Sequence, residues 1–410
     1  MTSRLSCVVP LLAVMTIACT DSRPRGTATV TDSAGIQIVT STGPMWTKGQ
    51  AWRVDTTPLL DVGGNESDPH YDFLEVSGVV RLGDGRLVVL NSGTSEVRYY
   101  DSTGHWLASS GRKGKGPGEF EGAGALFGLP GDTLLVYDYQ LRRMSRLAPD
   151  GAFLPSISLA GVAGGAIVFP FARLADGSWA ATVDHFFSTA ESGNGVSRPA
   201  MAVVHLPPDL GLTADTVVTV PGSEAWVESG GSDGRRFVSV RGLPLGLDSP
   251  HAAGDSLIYV GDAAQYVIGA YRPDGTLIRS IRYGISRQPV TAAMLDRVKA
   301  SELSSMPDRY RAESEAQWEK MPKPKELPAF DAVAVDADGN LWVMEPRVLD
   351  SDPATCDVFD PAGRLLGRVP LPAGFTPSEI GGGYLLGIWK DDVGVEHVRM
   401  YGITKGEPTD

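Results

Sequence analysis

Nine side chains are placed where they could do chemistry. Asn91, Asp138, Asp184, Asp262, Glu345 and Trp389 each stand where an apolar run breaks into a polar corner. His185 follows one corner directly, and His70 and His251 fall near the entries to other apolar runs. Five of the six corner residues carry an amide or carboxylate oxygen. Gathered round one axis, such oxygens could chelate Ca²⁺, a hard cation that takes about 6–8 oxygen ligands. A local reading competes: Asp and Asn are favoured at corners because their side chains accept hydrogen bonds from nearby backbone amides. The histidines could converge on Zn²⁺, or one could act as a base. None of the six histidines has His-x₃-His or His-Glu-x-x-His spacing, so the usual zinc signatures are absent. Gly-x-Ser-x-Gly occurs once, at Gly230 to Gly234, in a segment that reads as an extended loop and opens no helix, so no serine is marked as a nucleophile. The glycine-rich run from Gly111 to Gly118 ends without Gly-Lys-Ser/Thr and leads into a strand-like segment. It is therefore no phosphate loop, though Arg112, Lys113 and Lys115 make it basic. No catalytic set emerges. Ca or Zn remains open, with the metal unknown.

These residues are positioned by a repeat. In its clearest copy the apolar run Val79 to Leu82 meets a turn at Asp84-Gly85, and Leu87 to Leu90 follows. A corner at Asn91 to Ser95, a third run from Val97 to Tyr100, a turn at Asp101 to Gly104, and His105 to Ser109 complete it. Asp-Gly between apolar runs signals a two-residue hairpin, with φ > 0 at both turn positions. Further copies centre on turns at Gly131-Asp132, Asp176-Gly177, Gly254-Asp255 and Asp338-Gly339, and a degenerate sixth on Gly381 to Gly383. Uninterrupted copies recur about every 45 residues, the period of four-stranded propeller blades. The expectation is an all-β fold: a six-bladed β-propeller of four-stranded blades. Closing the ring buries both faces of each blade. The segments 35–41 and 52–60 precede the first copy and are expected to complete the last blade.

Two spacings are longer. Residues 186–198 and 209–235 read as extended loops. Residues 285–327 change to helical period and read as a helical insertion between the fourth and fifth blades. Thr291 can cap a helix from Ala292, with Met294, Leu295, Val298 and Leu303 on its apolar side. Pro307 opens a second, charged helix through Lys320, and the Pro-containing run 321–324 stops it.

The chain has 410 residues and a formal net charge of −13, which argues against nucleic acid as a partner. Glycine (49) and proline (29) punctuate apolar runs, as all-β chains require. Cysteine occurs only at 7, 19 and 356, so no disulfide framework forms. Arg4 and the apolar stretch from Leu5 to Ala18 have the make-up of a signal peptide and are too short for a membrane span of about 20 residues. Thr16-Ile17-Ala18-Cys19 resembles a bacterial lipobox, although Thr16 replaces its usual leucine. That resemblance implies a signal peptide over 1–18, a diacylated Cys19, and a flexible tether over 19–33. The body then spans 34–405. Asp is not adjacent to Cys19, which by the sorting rule for such lipoproteins implies the outer membrane, facing periplasm or exterior.

The run from Gly111 to Phe120 resembles the inter-blade linker of NHL-repeat proteins. Asp138 to Met144 and Asn91 to Tyr100 resemble the second half of that repeat. With the helical insertion and the Pro328-Ala329-Phe330-Asp331 entry, most of residues 35–405 is similar to the bacterial 6-bladed β-propeller lipoprotein family. The resemblance implies the fold and leaves the activity undefined, because propellers host unrelated chemistries. Two enzyme types bear on the open metal question. Lactonase-type propellers use axial carboxylates to hold Ca²⁺, and the peptidyl-amide lyase propeller uses axial histidines to hold Zn²⁺. The expectation is therefore an envelope lipoprotein that binds or scaffolds a protein or glycan. The alternative is a metal-dependent hydrolase or lyase.

Overall fold

A computed structural model describes residues 26–406 except 48, 66, 185–193, 233–234, 305 and 392. Six sheets each contain four antiparallel strands in meander order, the last taking its outermost strand from the N-terminal segment. The first runs Val76–Arg81, Leu87–Asn91, Glu96–Tyr100 and Trp106–Ser110. The later sheets begin with Ala123–Gly128, Val168–Arg173, His251–Ala253, Ala332–Val335 and Phe375–Ile380. Second strands such as Leu87–Asn91 and Leu134–Asp138 are buried at every position. Their continuous apolar runs reflect packing on both faces.

Six hydrophobic clusters among the described residues lie between successive sheets. One joins Val88 and Leu90 of the first sheet to Leu134 and Val136 of the second. Another joins Leu386 and Val398 of the sixth sheet to Val76, Val79 and Val89 of the first, so the circle closes. The inner strands also neighbour one another, Val76–Arg81 lying beside both Ala123–Gly128 and Phe375–Ile380. This is a β-propeller architecture.

The hairpin turns differ from the expected two-residue type. Leu82 and Arg86 pair across a three-residue loop, with Arg86 O accepting from Leu82 N at 2.8 Å. Gly85 has φ 92°, and Asp84 keeps negative φ. The Asp84 carboxylate accepts from Arg86 N at 3.0 Å, closing the loop from within. Asp101 to His105 repeats this geometry, with Gly104 at φ 91°. A type I turn followed by one left-handed glycine explains why Asp precedes Gly at a distance that varies between copies.

The N-terminal segment straps the outer rim. Ala28–Ser33, which the sequence assigns to the tether, pairs antiparallel with Ile36–Ser41. Ile36–Ser41 in turn pairs in parallel with Leu277–Tyr283 of the fourth sheet, and not with the last. Met45 N and Trp46 N then donate to Leu365 O and Leu366 O of the fifth sheet at 3.1 and 2.7 Å. Only Arg53–Val54 and Leu60–Gly63 reach the sixth sheet, pairing with Glu396–Thr404. One stretch thus ties three sheets together and supplies the outermost strand of the last.

The segment 209–235, expected as loop, contains the strand Asp215–Pro221 and most of a hairpin, Ala225–Ser232 with Arg235–Gly242. The helices form as expected: α1 spans Ala292–Ser304 and α2 spans Asp308–Lys320. Thr291 Oγ1 accepts from Met294 N at 3.3 Å. Val298 is buried, with Met294, Leu295 and Leu303 half-buried beside it. No helix among the described residues is long and apolar enough to cross a membrane.

Candidate functional site

The axis has two ends. At one lie the corners between second and third strands and the entries to inner strands. At the other lie the hairpins that join first strands to second.

At the corner end, the residues expected to chelate a metal act largely on their own chain. Asn91 is fully buried; its Oδ1 accepts from Leu74 N at 2.7 Å, and its Nδ2 donates to Thr94 Oγ1 at 3.0 Å. Asp138 is fully buried as well. Its carboxylate accepts from Glu121 N, Gly122 N and Leu141 N at 2.8, 3.1 and 2.9 Å. Each side chain fastens the entry of an inner strand to the end of the next strand. Asp262 accepts from Ala264 N at 3.1 Å and pairs with Arg198 at 2.9 Å. Glu345 pairs with Arg368. Trp389 donates to Ala373 O at 2.9 Å and carries the Arg399 guanidinium over its ring.

The histidines are equally local. His70 contacts the Asp68 carboxylate at 2.7 Å and stacks on Trp106 with centroids 3.7 Å apart. His251 Nδ1 lies 3.1 Å from Ser249 O, and the ring packs on Phe171. Burial pushes its pKa below the ordinary imidazole value, so it stays neutral at pH 7. Asp184 closes the strand Trp179–Asp184, its backbone opposite Met201. His185 and Cys19 lie outside the described residues. Among the described residues no three of His, Cys, Asp or Glu stand together as metal ligands.

Two carboxyls nearby, one half-buried and one buried, were not anticipated. Asp331 accepts from Arg347 N at 2.7 Å, and burial pushes its pKa up to about 6. Asp357 accepts from Tyr266 OH at 2.8 Å between the fourth and fifth sheets, and burial pushes it up to about 6 as well. Cys356 is buried and unpaired, its thiol pushed up to about 12 by burial, which makes it unreactive.

The hairpin end is different. A cavity of about 690 Å³ opens among the inner-strand ends of the third to sixth sheets. A smaller one of about 310 Å³ adjoins it beneath the first and second, and Glu379 lines both. Each sheet contributes a charged side chain here: Arg81, Asp132, Arg173, Asp255, Asp338 and Glu379. Several are engaged. Asp132 accepts from Gly83 N at 2.9 Å. Asp338 pairs with Lys405. Glu379 accepts from the Tyr384 hydroxyl, which burial and that carboxylate push up to about 12. Arg81 lies over the Tyr384 ring. Arg173 and Asp255 have no side-chain hydrogen bond or ion pair among the described residues. The hairpins are stitched in pairs. Gly83 N reaches Asp132, Ala175 N donates to Asp255 O at 2.8 Å, and Ala337 N donates to Ile380 O at 3.0 Å. The larger cavity is lined by both the third–fourth and the fifth–sixth of these hairpin pairs. Sequence reasoning missed this ring of charges. Its signal is present, however, since each residue lies within about three positions of the first turn of its repeat.

No family model matches the sequence, and no curated protein matches it. Solved structures do. A member of the DUF4221 family from Bacteroides vulgatus is 10% identical, over 87% of this chain and 100% of that one, with TM-score 0.53. A protein described as exported from Bacteroides fragilis is 10% identical over 90% and 100%, with TM-score 0.46. Regucalcin from Agrobacterium tumefaciens, described as a calcium-binding protein, is 13% identical over 87% and 95%, with TM-score 0.37. At these identities a likeness bears on fold alone, and the first supports the β-propeller architecture of this chain.

Proposed function

We propose that the six sheets are the blades of a six-bladed β-propeller, with α1 and α2 inserted between the fourth and fifth, and that this propeller is a binding module or scaffold at the cell envelope. Residues 1–18 act as a signal peptide and Cys19 carries the lipid. The body faces the periplasm or exterior from the outer membrane, where its partner is an envelope protein or a glycan. A single contrast supports the binding role. Corner side chains such as Asn91 and Asp138 are engaged by their own backbone, whereas the hairpin-end cavity keeps a cation and a carboxylate, Arg173 and Asp255, without partners among the described residues. A metal-dependent hydrolase or lyase that used Asn91 or Asp138 would take Ca²⁺ or Zn²⁺ on oxygens that already accept amide protons, at a cost of about 1–3 kcal/mol for each amide left without an acceptor.

Metal analysis of the full-length protein, purified in detergent, tests the function. Substoichiometric Ca and Zn supports the binding module; one metal per chain that survives dialysis overturns it in favour of the enzyme. The anchor is tested separately by Cys19→Ser, which should move the protein from the membrane to the soluble fraction. Retention at the membrane would contradict the lipid anchor.

A further inference from the structure

We propose that the hairpin-end cavity binds a short peptide with both termini free, the carboxylate at Arg173 and the ammonium at Asp255. This rests on the binding reading above and names its ligand class. Three independent features support it.

The first is charge. Arg173 and Asp255 stand on neighbouring hairpins joined by Ala175 N to Asp255 O at 2.8 Å, and both line the cavity. Neither side chain has a partner among the described residues. A guanidinium presents a planar fork that matches a carboxylate, and a carboxylate accepts from an ammonium. Two unpaired opposite charges on adjoining hairpins complement a zwitterion; an ion of one sign would leave one of them unmet.

The second is backbone. His251–Ala253 and Ala332–Val335 each stand at the end of a sheet, so one edge of each has no ladder partner. Ala253, Ala334 and Val335 line the cavity. Free strand edges bind extended peptides through main-chain hydrogen bonds. This favours a peptide over a single amino acid, which has no chain to lay along an edge.

The third is size. About 690 Å³ lies within the range of small-ligand sites, about 300–1,000 Å³. It holds a few residues and excludes a folded partner. The lining includes Gly254, Ser256, Gly381 and Gly382, which leave room for varied side chains.

The test uses full-length protein in detergent and a random tripeptide library with free termini. Melting is followed as library concentration rises, because a ligand that binds only the folded state raises Tm. A saturable rise is expected with the free library. It should vanish with the same library acetylated and amidated at its ends. Arg173→Gln and Asp255→Asn should each weaken binding at least about tenfold, as loss of one charge-assisted contact does. Both residues are exposed, so the unliganded variants should melt with the wild type. No saturable rise overturns the proposal, as does an equal rise with the blocked library or wild-type affinity in both variants. Failure here with substoichiometric metal would leave the binding module standing and remove only this ligand. Tightly bound metal would remove the module itself.

Discussion

Asp138→Ala separates a structural corner from a chelating one. The wild-type carboxylate is fully buried and accepts three backbone amides, from Glu121, Gly122 and Leu141, at 2.8–3.1 Å. Truncation leaves all three donors without an acceptor. One unmet buried amide costs about 1–3 kcal/mol, and hydrogen bonds to a charged group contribute about 1.5–3 kcal/mol each. The losses are not additive, and removing a buried carboxylate returns part of its desolvation cost. A net loss of about 3 kcal/mol follows. For a chain of this size that lowers the urea midpoint by about 1 M. Hydrogen exchange should lose protection at the amides of 121, 122 and 141 before the rest of the second sheet. Chelator should leave both proteins unchanged. A loss under about 0.5 kcal/mol, with those three amides still protected, would refute the capping argument.

Other residues give independent checks. A Cβ at 367 would lie 2.0 Å from Trp46 Cε3, so Gly367→Ala should lift the strap, cost about 1–3 kcal/mol and red-shift tryptophan emission; unchanged emission and stability would mean the strap adapts. Glu396 Oε2 accepts from Val76 N at 2.7 Å across the closure of the ring, so Glu396→Ala should lower the urea midpoint by an amount worth about 2 kcal/mol, and an unchanged midpoint would count against that closure. Asp357 has its pKa raised from 3.8 to about 6 by burial, so its contribution is fully present below about pH 4 and is lost as pH rises through 6. Asp357→Asn keeps an acceptor for Tyr266 and should gain about 3 kcal/mol relative to wild type between pH 4 and 7.5; a difference that stays flat over that range would exclude an ionising Asp357.

The repeat was legible because hairpin turns and buried second strands leave local marks. Asp84-Gly85 and Leu87 to Leu90 are enough to place two strands, and Thr291 with Val298 places α1. The destination of Ile36–Ser41 was not legible. It pairs in parallel with residues about 240 positions away, and nothing in six residues of alternating character names that partner. The hairpin Ala225–Ser232 with Arg235–Gly242 was missed although Asp233-Gly234 lies between its strands, because glycine, serine and arginine flank the turn in place of apolar residues. The corner residues stand out in the sequence, but choosing between their two readings needed geometry, since capping and chelation select the same side chains. The charges at the hairpin end were overlooked for a related reason. Each sits beside a turn whose own chemistry already explains a polar residue, and only ring closure brings the six together.

Thermal melting of the full-length protein with and without chelator tests the central claim most directly. The account predicts the same Tm after chelation and after adding back Ca²⁺ or Zn²⁺, because the corner side chains stabilise the fold through backbone amides. A Tm that falls on chelation and recovers with one of these ions would contradict it, and would place a metal among the corner residues.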